Sequence, residues 1–368
     1  MVGFIRLMYN SLHTTAKGTS ENMAVKIGII GLGFMGSTHW RIYEAMRGAK
    51  IVALADVEPA KRRGDVSAVV ANIGGGDNSK PLDTTGVSVY ENALDLIADP
   101  SVDVVDICVP TARHADLVCA ALAAGKHVFC EKPLCRTAAE IKRIVQAAKK
   151  AKGFLNIGLC VRAWPEYRAA WEYFKSGKAG KMLSATFKRI SPGVDGNSWQ
   201  NWYMDGAISG GALLDLHVHD TDQINCFFGK PKAVVSHGAN VLSKNGGIDH
   251  VVTIYDYGDG RLVTAEGGWE QAKGATFEMS FTIVCEKATL KLDSTGLNIF
   301  LKNGKKLTPK LDVKAGPTGW HQELKYFVGC VAKGVEPVKY QTIDSVADTM
   351  KIVFAEEKSV ASGKAVKI

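Results

Sequence analysis

No stretch of this 368-residue sequence comes near the roughly 18 uncharged apolar residues that a bilayer span needs, so an integral membrane protein is excluded. Its eight cysteines include no C-x-x-C pair and no Cys/His cluster at zinc-finger spacing, and no metal site is expected. Most of them sit inside apolar stretches, the usual place for reduced core thiols, which points to a cytoplasmic chain. Internal repeats and low-complexity segments are missing as well. So is any dense basic patch: 45 Lys and Arg against 37 Asp and Glu give +8, but the charges are scattered. The densest clusters are Lys61, Arg62 and Arg63, and Lys302, Lys305 and Lys306. Nucleic-acid binding therefore gets little support, while an anionic small ligand such as a dinucleotide, or solubility alone, accounts for the excess.

What is present is globular. An apolar fraction of 46% and a charged fraction of 22% exclude both a largely disordered chain and a coiled coil. At about 150 residues per domain the length suggests two domains. Residues 1–23 stand apart: Met1 to Tyr9 is apolar around one Arg, and Ser11 to Asn22 is polar without a small-residue cleavage pattern. This is a poor signal peptide and reads as a disordered extension or an upstream start codon.

From Val25 the chain alternates. Val25 to Ile30 is a β-branched run ended by Gly31, and Phe34 to Arg47 has helical spacing. Strands follow at Ile51 to Ala55, Val87 to Tyr90, Val102 to Val109 and His127 to Cys130, separated by helices near Pro59 to Ala71, Ala93 to Ala98 and Ala112 to Ala124. Thr137 with Glu140 forms a capping box for a helix to Ala151. Strands apolar on both faces and separated by helices imply a doubly wound parallel sheet. Asn72 to Gly86 reads as a surface loop. After Gly153 one more buried strand, Phe154 to Leu159, leads to runs of alternating polarity between Leu183 and Leu292 and then to helices near Trp320 to Val331 and Asp344 to Ser362. The expectation is an α/β chain, with a parallel-sheet domain over 24–152 and, over 153–368, a second α/β domain built on a large, mostly antiparallel sheet.

Gly31-Leu32-Gly33-Phe34-Met35-Gly36 is a G-x-G-x-x-G that follows the first strand, opens a helix, and precedes Asp56 at the end of the second strand by twenty residues. Gly31 permits the turn, Gly33 lets backbone approach a pyrophosphate, and Gly36 allows close helix packing. Asp56 would accept the ribose hydroxyls and repel a 2′-phosphate, favouring NAD, with Lys61 and Arg62 close enough to keep NADP open. The fourth strand ends in Pro110-Thr111 with His114 beyond, and the fifth in Glu131-Lys132-Pro133. Both lie at the carboxyl edge of the sheet, where ligands bind in such folds. A solvated surface lysine is the other reading of Lys132. Farther on, Gly210-Gly211 leads to Asp215 and His219, one helical turn apart on one face. That spacing suits a carboxylate orienting an imidazole base, and equally a structural polar pair at a helix start.

Together these motifs resemble the glucose–fructose oxidoreductase, inositol dehydrogenase and rhizopine-catabolism (Gfo/Idh/MocA) family, from about Val25 to the C-terminus. The resemblance implies an N-terminal Rossmann domain and a C-terminal domain whose open sheet forms homodimer or homotetramer contacts. It implies catalysis by Lys132, Asp215 and His219, with His219 taking a hydroxyl proton as hydride leaves for NAD, Lys132 stabilising the reacting oxygen, and Asp215 orienting His219 or holding a neighbouring hydroxyl. The segment Arg162-Ala163-Trp164-Pro165 resembles that of some sugar and glycoside dehydrogenases. Arg162, Trp164, Trp199 and Trp202 are thus candidates for substrate contact, with core packing the alternative for the tryptophans. The activity implied is oxidation of a secondary ring hydroxyl of a sugar, glycoside or cyclic polyol. Two rivals are an NAD-dependent glycosidase working by transient C3 oxidation and elimination, and a dinucleotide-sensing or structural protein without activity.

Overall fold

The computed structural model describes residues 24–70, 78–194, 196 and 198–368. The expected extension over 1–23 and the glycine triplet of the 72–86 loop lie outside the described residues.

Six strands, β1 (Val25–Ile30), β2 (Ala49–Ala55), β3 (Ser88–Tyr90), β4 (Val104–Ile107), β5 (His127–Glu131) and β6 (Leu155–Gly158), form one sheet of order β3-β2-β1-β4-β5-β6. All its pairings are parallel. The order reverses between β1 and β4, and their carboxyl ends open the crevice in which such sheets bind ligands. The helices between the strands are α1 (Phe34–Glu44), α2 (Pro59–Arg62), α3 (Ala93–Ala98), α4 (His114–Ala123) and α5 (Ala138–Lys150). The capping box at Thr137 and Glu140 is formed. α2 is far shorter than its apolar spacing suggested, because Gly64 turns the chain at a φ of +83°.

After α6 (Pro165–Lys175) a second sheet begins with β7 (Met182–Pro192). Two helices, α7 (Gly206–Ser209) and α8 (Val218–Phe228), precede β8 (Ala233–Ala239), β9 (His250–Asp256) and β10 (Leu262–Gln271). Then come β11 (Glu278–Cys285), β12 (Ala288–Asp293), β13 (Gly296–Leu301), β14 (Lys306–Leu307), the helices α9 (Gly319–Lys333) and α10 (Ile343–Ser362), and β15 (Val366–Lys367). The order is β14-β13-β12-β11-β7-β10-β9-β8-β15, antiparallel apart from the β7–β10 pair. One face of this sheet buries Phe187, Tyr255 and Phe281 against α6, α8 and α10.

The last helices return to the first sheet. Leu324, Phe327 and Val328 of α9 join Ile27, Ile29 and Phe129 in one cluster, and Val346, Met350 and Val353 of α10 join another. No described helix is long and apolar enough to cross a membrane.

Candidate active site

The glycine loop is shaped by contacts at two of its three glycines. Gly31 holds a φ of +91° and stands against the Cys108 carbonyl, so a side chain would strain both backbone and strand packing. A Cβ on Gly36 would collide with the Gly31 carbonyl, which is how closely α1 approaches the turn. Around Gly33 a Cβ would meet nothing within 4 Å. That open space lies at the start of α1, where the first-turn N–H groups of Phe34 and Met35 have no intrahelical acceptor and no acidic side chain competes. A pyrophosphate fits this cradle.

Asp56, at the end of β2, accepts Leu32 N–H at 2.7 Å through Oδ2 and Glu58 N–H at 2.8 Å through Oδ1. Each oxygen keeps lone-pair capacity for a ribose hydroxyl. The two cations that left NADP open are occupied: Lys61 pairs with Glu58 at 2.8 Å, and Arg62 donates to the Asp56 and Val57 carbonyls and pairs with Glu91. Both observations agree with NAD.

Beyond β4, Pro110 caps a short 3-10 turn that buries Thr111. His114 does not face the crevice. Its ring is buried, with Nδ1 2.7 Å from the Pro133 carbonyl and Nε2 2.8 Å from the Val109 carbonyl. The neutral ring, its proton affinity lowered by burial, can donate to one of these carbonyls at a time and so ties the ends of β4 and β5 together rather than facing the cleft, as a cofactor contact through the ring would require.

Lys132 follows β5 and reaches across to the second domain. Its Nζ donates to the Asp215 carbonyl at 2.7 Å and to Asp215 Oδ1 at 3.0 Å. Asp215 lies in a π-helical turn, Leu213–His217, that feeds into α8. Two consecutive glycines at positive φ, Gly210 and Gly211, set up this turn, and a side chain on Gly211 would strike the Ile248 backbone. The π turn adds a residue to the helical repeat, so the simple one-turn spacing of Asp215 and His219 does not apply. Among the described residues no hydrogen bond joins the two; the carboxylate meets Lys132, which corrects the first of its two expected roles, orienting His219, and leaves the second, holding a neighbouring hydroxyl.

His219 is 8% exposed, and its Nδ1 is buried without a hydrogen-bond partner. Burial, with the charges of Lys132 and Arg189 adding to it, holds the ring well below its ordinary value, so it is neutral at neutral pH. Arg189 is itself fixed by Asp220 at 2.8 and 3.2 Å.

Lys132 and Asp215 line a cleft walled by Tyr203, Trp269 and Trp320 and reached by Phe34 and Met35 of the glycine loop. Trp164, Trp199, Trp202 and the buried His219 are not among its lining residues. Trp164 stands edge-on to Trp320 at 5.5 Å, and Trp202 packs on Tyr203 at 4.4 Å, so both back the wall; Trp199 is 39% exposed. Arg162 does not line this cleft either: its guanidinium is buried in a bidentate pair with Asp222 at 2.6 and 2.7 Å and also donates to Ser345. It borders a different cavity of about 430 Å³, between α6, α8 and the start of α10, which shares no lining residue with the Lys132 cleft.

The sequence reading missed Trp269 and Trp320 as walls, and a buried cluster behind Glu131. His39 of α1, Asp106 of β4 and Cys108 bring donor atoms within 4.8 Å of one another. Both ring nitrogens of His39 already face carboxylates, Asp106 at 2.9 Å and Glu131 at 3.3 Å, so the cluster is an ion-paired network that needs no cation. A titratable residue between Gly36 and Tyr43 on the sheet-facing side of α1 was the available signal.

Residues 25–159 match the Gfo/Idh/MocA model described as an oxidoreductase family with an NAD-binding Rossmann fold, and residues 167–291 match the C-terminal domain model of the same family. Myo-inositol 2-dehydrogenase of Thermotoga maritima is 26% identical over 367 residues, 94% of this chain and 98% of its own. Levoglucosan dehydrogenase of Pseudarthrobacter phenanthrenivorans is 32% identical over 222 residues, 57% of this chain and 53% of its own. Among solved structures, levoglucosan dehydrogenase with NADH and levoglucosan superposes with a TM-score of 0.77 at 23% identity, covering 94% of this chain and 100% of that one. Myo-inositol 2-dehydrogenase from Lactobacillus plantarum superposes at 0.76 with 25% identity, covering 94% and 99%.

Proposed function

The chain belongs to the Gfo/Idh/MocA family of oxidoreductases with an NAD-binding Rossmann domain, and from that premise we propose that it oxidises a secondary ring hydroxyl of a sugar, glycoside or cyclic polyol. The observation that carries this reading is the Lys132–Asp215 pair, which joins the cofactor-side sheet edge to the π turn beside a neutral, buried His219.

Bound NAD supplies the hydride acceptor; the chain's own groups do the rest. The Gly31–Gly36 loop and Asp56 hold the dinucleotide, and residues 24–152 form its domain. Lys132 hydrogen-bonds the reacting oxygen and offsets the negative charge that grows there. Asp215 holds the ammonium group in place from two oxygens. His219, unprotonated, takes the hydroxyl proton. The flat faces of Tyr203, Trp269 and Trp320 suit the apolar face of a ring substrate, and Trp269 is fixed by an N–H bond to Asp249 at 2.7 Å.

Residues 153–368 also offer a surface to a second copy. The sheet face away from the helices exposes Val252 and Ile254 on β9 and Leu262 on the adjacent β10, apolar side chains that support a homodimer or homotetramer. A monomer by sedimentation at micromolar concentration would refute this. All eight cysteines are unpaired, in keeping with a cytoplasmic setting.

The test is NADH formation at alkaline pH against inositols, free hexoses, anhydrosugars and glycosides. Turnover of at least one class is expected. Failure on every polyol with turnover of an amino acid or imine overturns the substrate class, and aglycone release without net NADH reassigns the chain to elimination chemistry.

A further inference from the structure

Behind the floor of the cleft lies a chain of buried ionisable groups that takes no part in the steps above. His39 is fully buried on the inner face of α1. Its Nδ1 is hydrogen-bonded to Asp106 Oδ2 at 2.9 Å, and its Nε2 lies 3.3 Å from Glu131 Oε1, within ion-pair range but without hydrogen-bond geometry, both of these atoms being buried with no other partner. Glu131 in turn accepts the Lys132 backbone N–H at 3.2 Å through Oε2, and it lines the same cleft as Lys132 and Asp215. Phe129 stands edge-on to the imidazole at 5.4 Å, and Cys108 Sγ lies 3.5 Å from Nδ1. Tyr43 from α1 and Glu323 from α9 complete the surroundings; each has a buried side-chain oxygen without a hydrogen-bond partner.

Buried carboxylates survive only where they are paired. Burial alone would strip the His39 ring of its proton, but the Asp106 carboxylate beside it outweighs burial and holds the ring well above its ordinary value. Glu323 is pushed well up by burial and then by the neighbouring Glu131 charge, so it stays protonated. The Cys108 thiol and the Tyr43 hydroxyl are pushed up as well, mainly by burial, and stay neutral. Of Asp106, His39 and Glu131, only Glu131 borders the cleft. Lys132 and Asp215, joined at 3.0 Å, largely offset each other there.

We propose that Asp106 and His39 are positioning residues that hold Glu131 as a fixed negative charge at the nicotinamide end of the cleft, and that this charge strengthens binding of oxidised over reduced cofactor. The inference rests on the reading that places the nicotinamide beside Lys132. The nicotinamide ring is cationic in NAD⁺ and neutral in NADH, so a fixed charge acts on one form and hardly on the other. Contacts to the pyrophosphate and adenosine are common to both forms and cancel in the ratio of affinities.

The experiment measures dissociation constants for NAD⁺ and NADH by fluorescence titration on the full chain, for the native protein, Glu131→Gln, His39→Gln and Asp106→Asn, with circular dichroism reporting the fold. In Glu131→Gln the ratio Kd(NAD⁺)/Kd(NADH) should rise roughly tenfold, the scale expected for one charge several ångströms away in a partly screened site. His39→Gln should move the ratio the same way by a smaller factor, because Glu131 loses the group that faces it from α1. Asp106→Asn, which leaves both other side chains in place, should repeat that shift if Glu131→Gln fails to fold. A purely structural role would weaken both forms by the same factor. That result, or an unchanged ratio in folded variants, overturns the proposal. Native protein that binds neither cofactor form would overturn the NAD reading beneath it.

Discussion

His39 and His219 are both buried, one in each half of the molecule, and they end in opposite charge states. His39 sits between Asp106 and Glu131 and keeps its proton; His219 lies near Lys132 and Arg189 and has lost it. Burial presses both rings toward neutrality, so the sign of the neighbouring charge decides the outcome. The cofactor half places acids around its histidine and fixes a charge, while the substrate half places cations near its histidine and keeps a base free. One residue type is thus held charged in one place and, in the other, held neutral as the proposed proton acceptor must be.

The most severe way to break this contrast is at His219. His219→Asn should lower kcat by roughly two to four orders of magnitude, the usual worth of a general base, with NAD affinity and melting temperature close to native. A near-normal kcat with a lowered melting temperature would make His219 a structural residue and erase the comparison. On the other side, Asp106→Asn removes the carboxylate that holds the His39 proton. Breaking a buried pair in this way should cost about 3–5 kcal/mol in urea unfolding, and a loss under about 1 kcal/mol would mean that the charge on His39 does not depend on Asp106.

A third test sharpens the pattern within the substrate half. Glu356 of α10 is buried against Thr221 at 3.0 Å, and burial raises its carboxyl to about 8. The folded chain therefore retains a proton that the unfolded chain releases above its ordinary value near 4.5. This contribution to stability is complete below that value and is lost as pH rises toward 8, at up to about 1.4 kcal/mol per pH unit. Glu356→Gln should flatten the fall in melting temperature between pH 5 and 8. An equally steep fall in the variant would show that Glu356 is not the group responsible.

Much of the first half was legible because its signals are local. A β-branched run, three glycines at fixed offsets and an acid at the end of the next strand are short-range demands, and Gly31, Gly36 and Asp56 meet them as their residue types suggest. Lys132 was also placed at the sheet edge from sequence. The pairing of its ammonium group was not foreseen, because Asp215 turns toward it only through a π turn that no periodicity announces. Arg162 and His114 misled for a shared reason. A polar side chain in a motif-rich stretch looks like a ligand contact, and nothing local shows that Asp222, or two backbone carbonyls, already occupies it. Trp269 and Trp320 were invisible for the opposite reason, being far in sequence from the motifs whose cleft they wall.

The packing of α9 on the first sheet also bears on how the chain is made. Ile27 and Ile29 share a core with Leu324 and Phe327, about 300 residues later, and at ribosomal rates of 5–20 residues per second that partner emerges some 15–60 s after the first strand. Throughout that interval the cluster has its early members from α1, Trp40 and Tyr43, but not the α9 residues that complete it. A nascent chain halted before α9 would thus leave the ribosome with its dinucleotide loop formed and its core open, a natural client for chaperones.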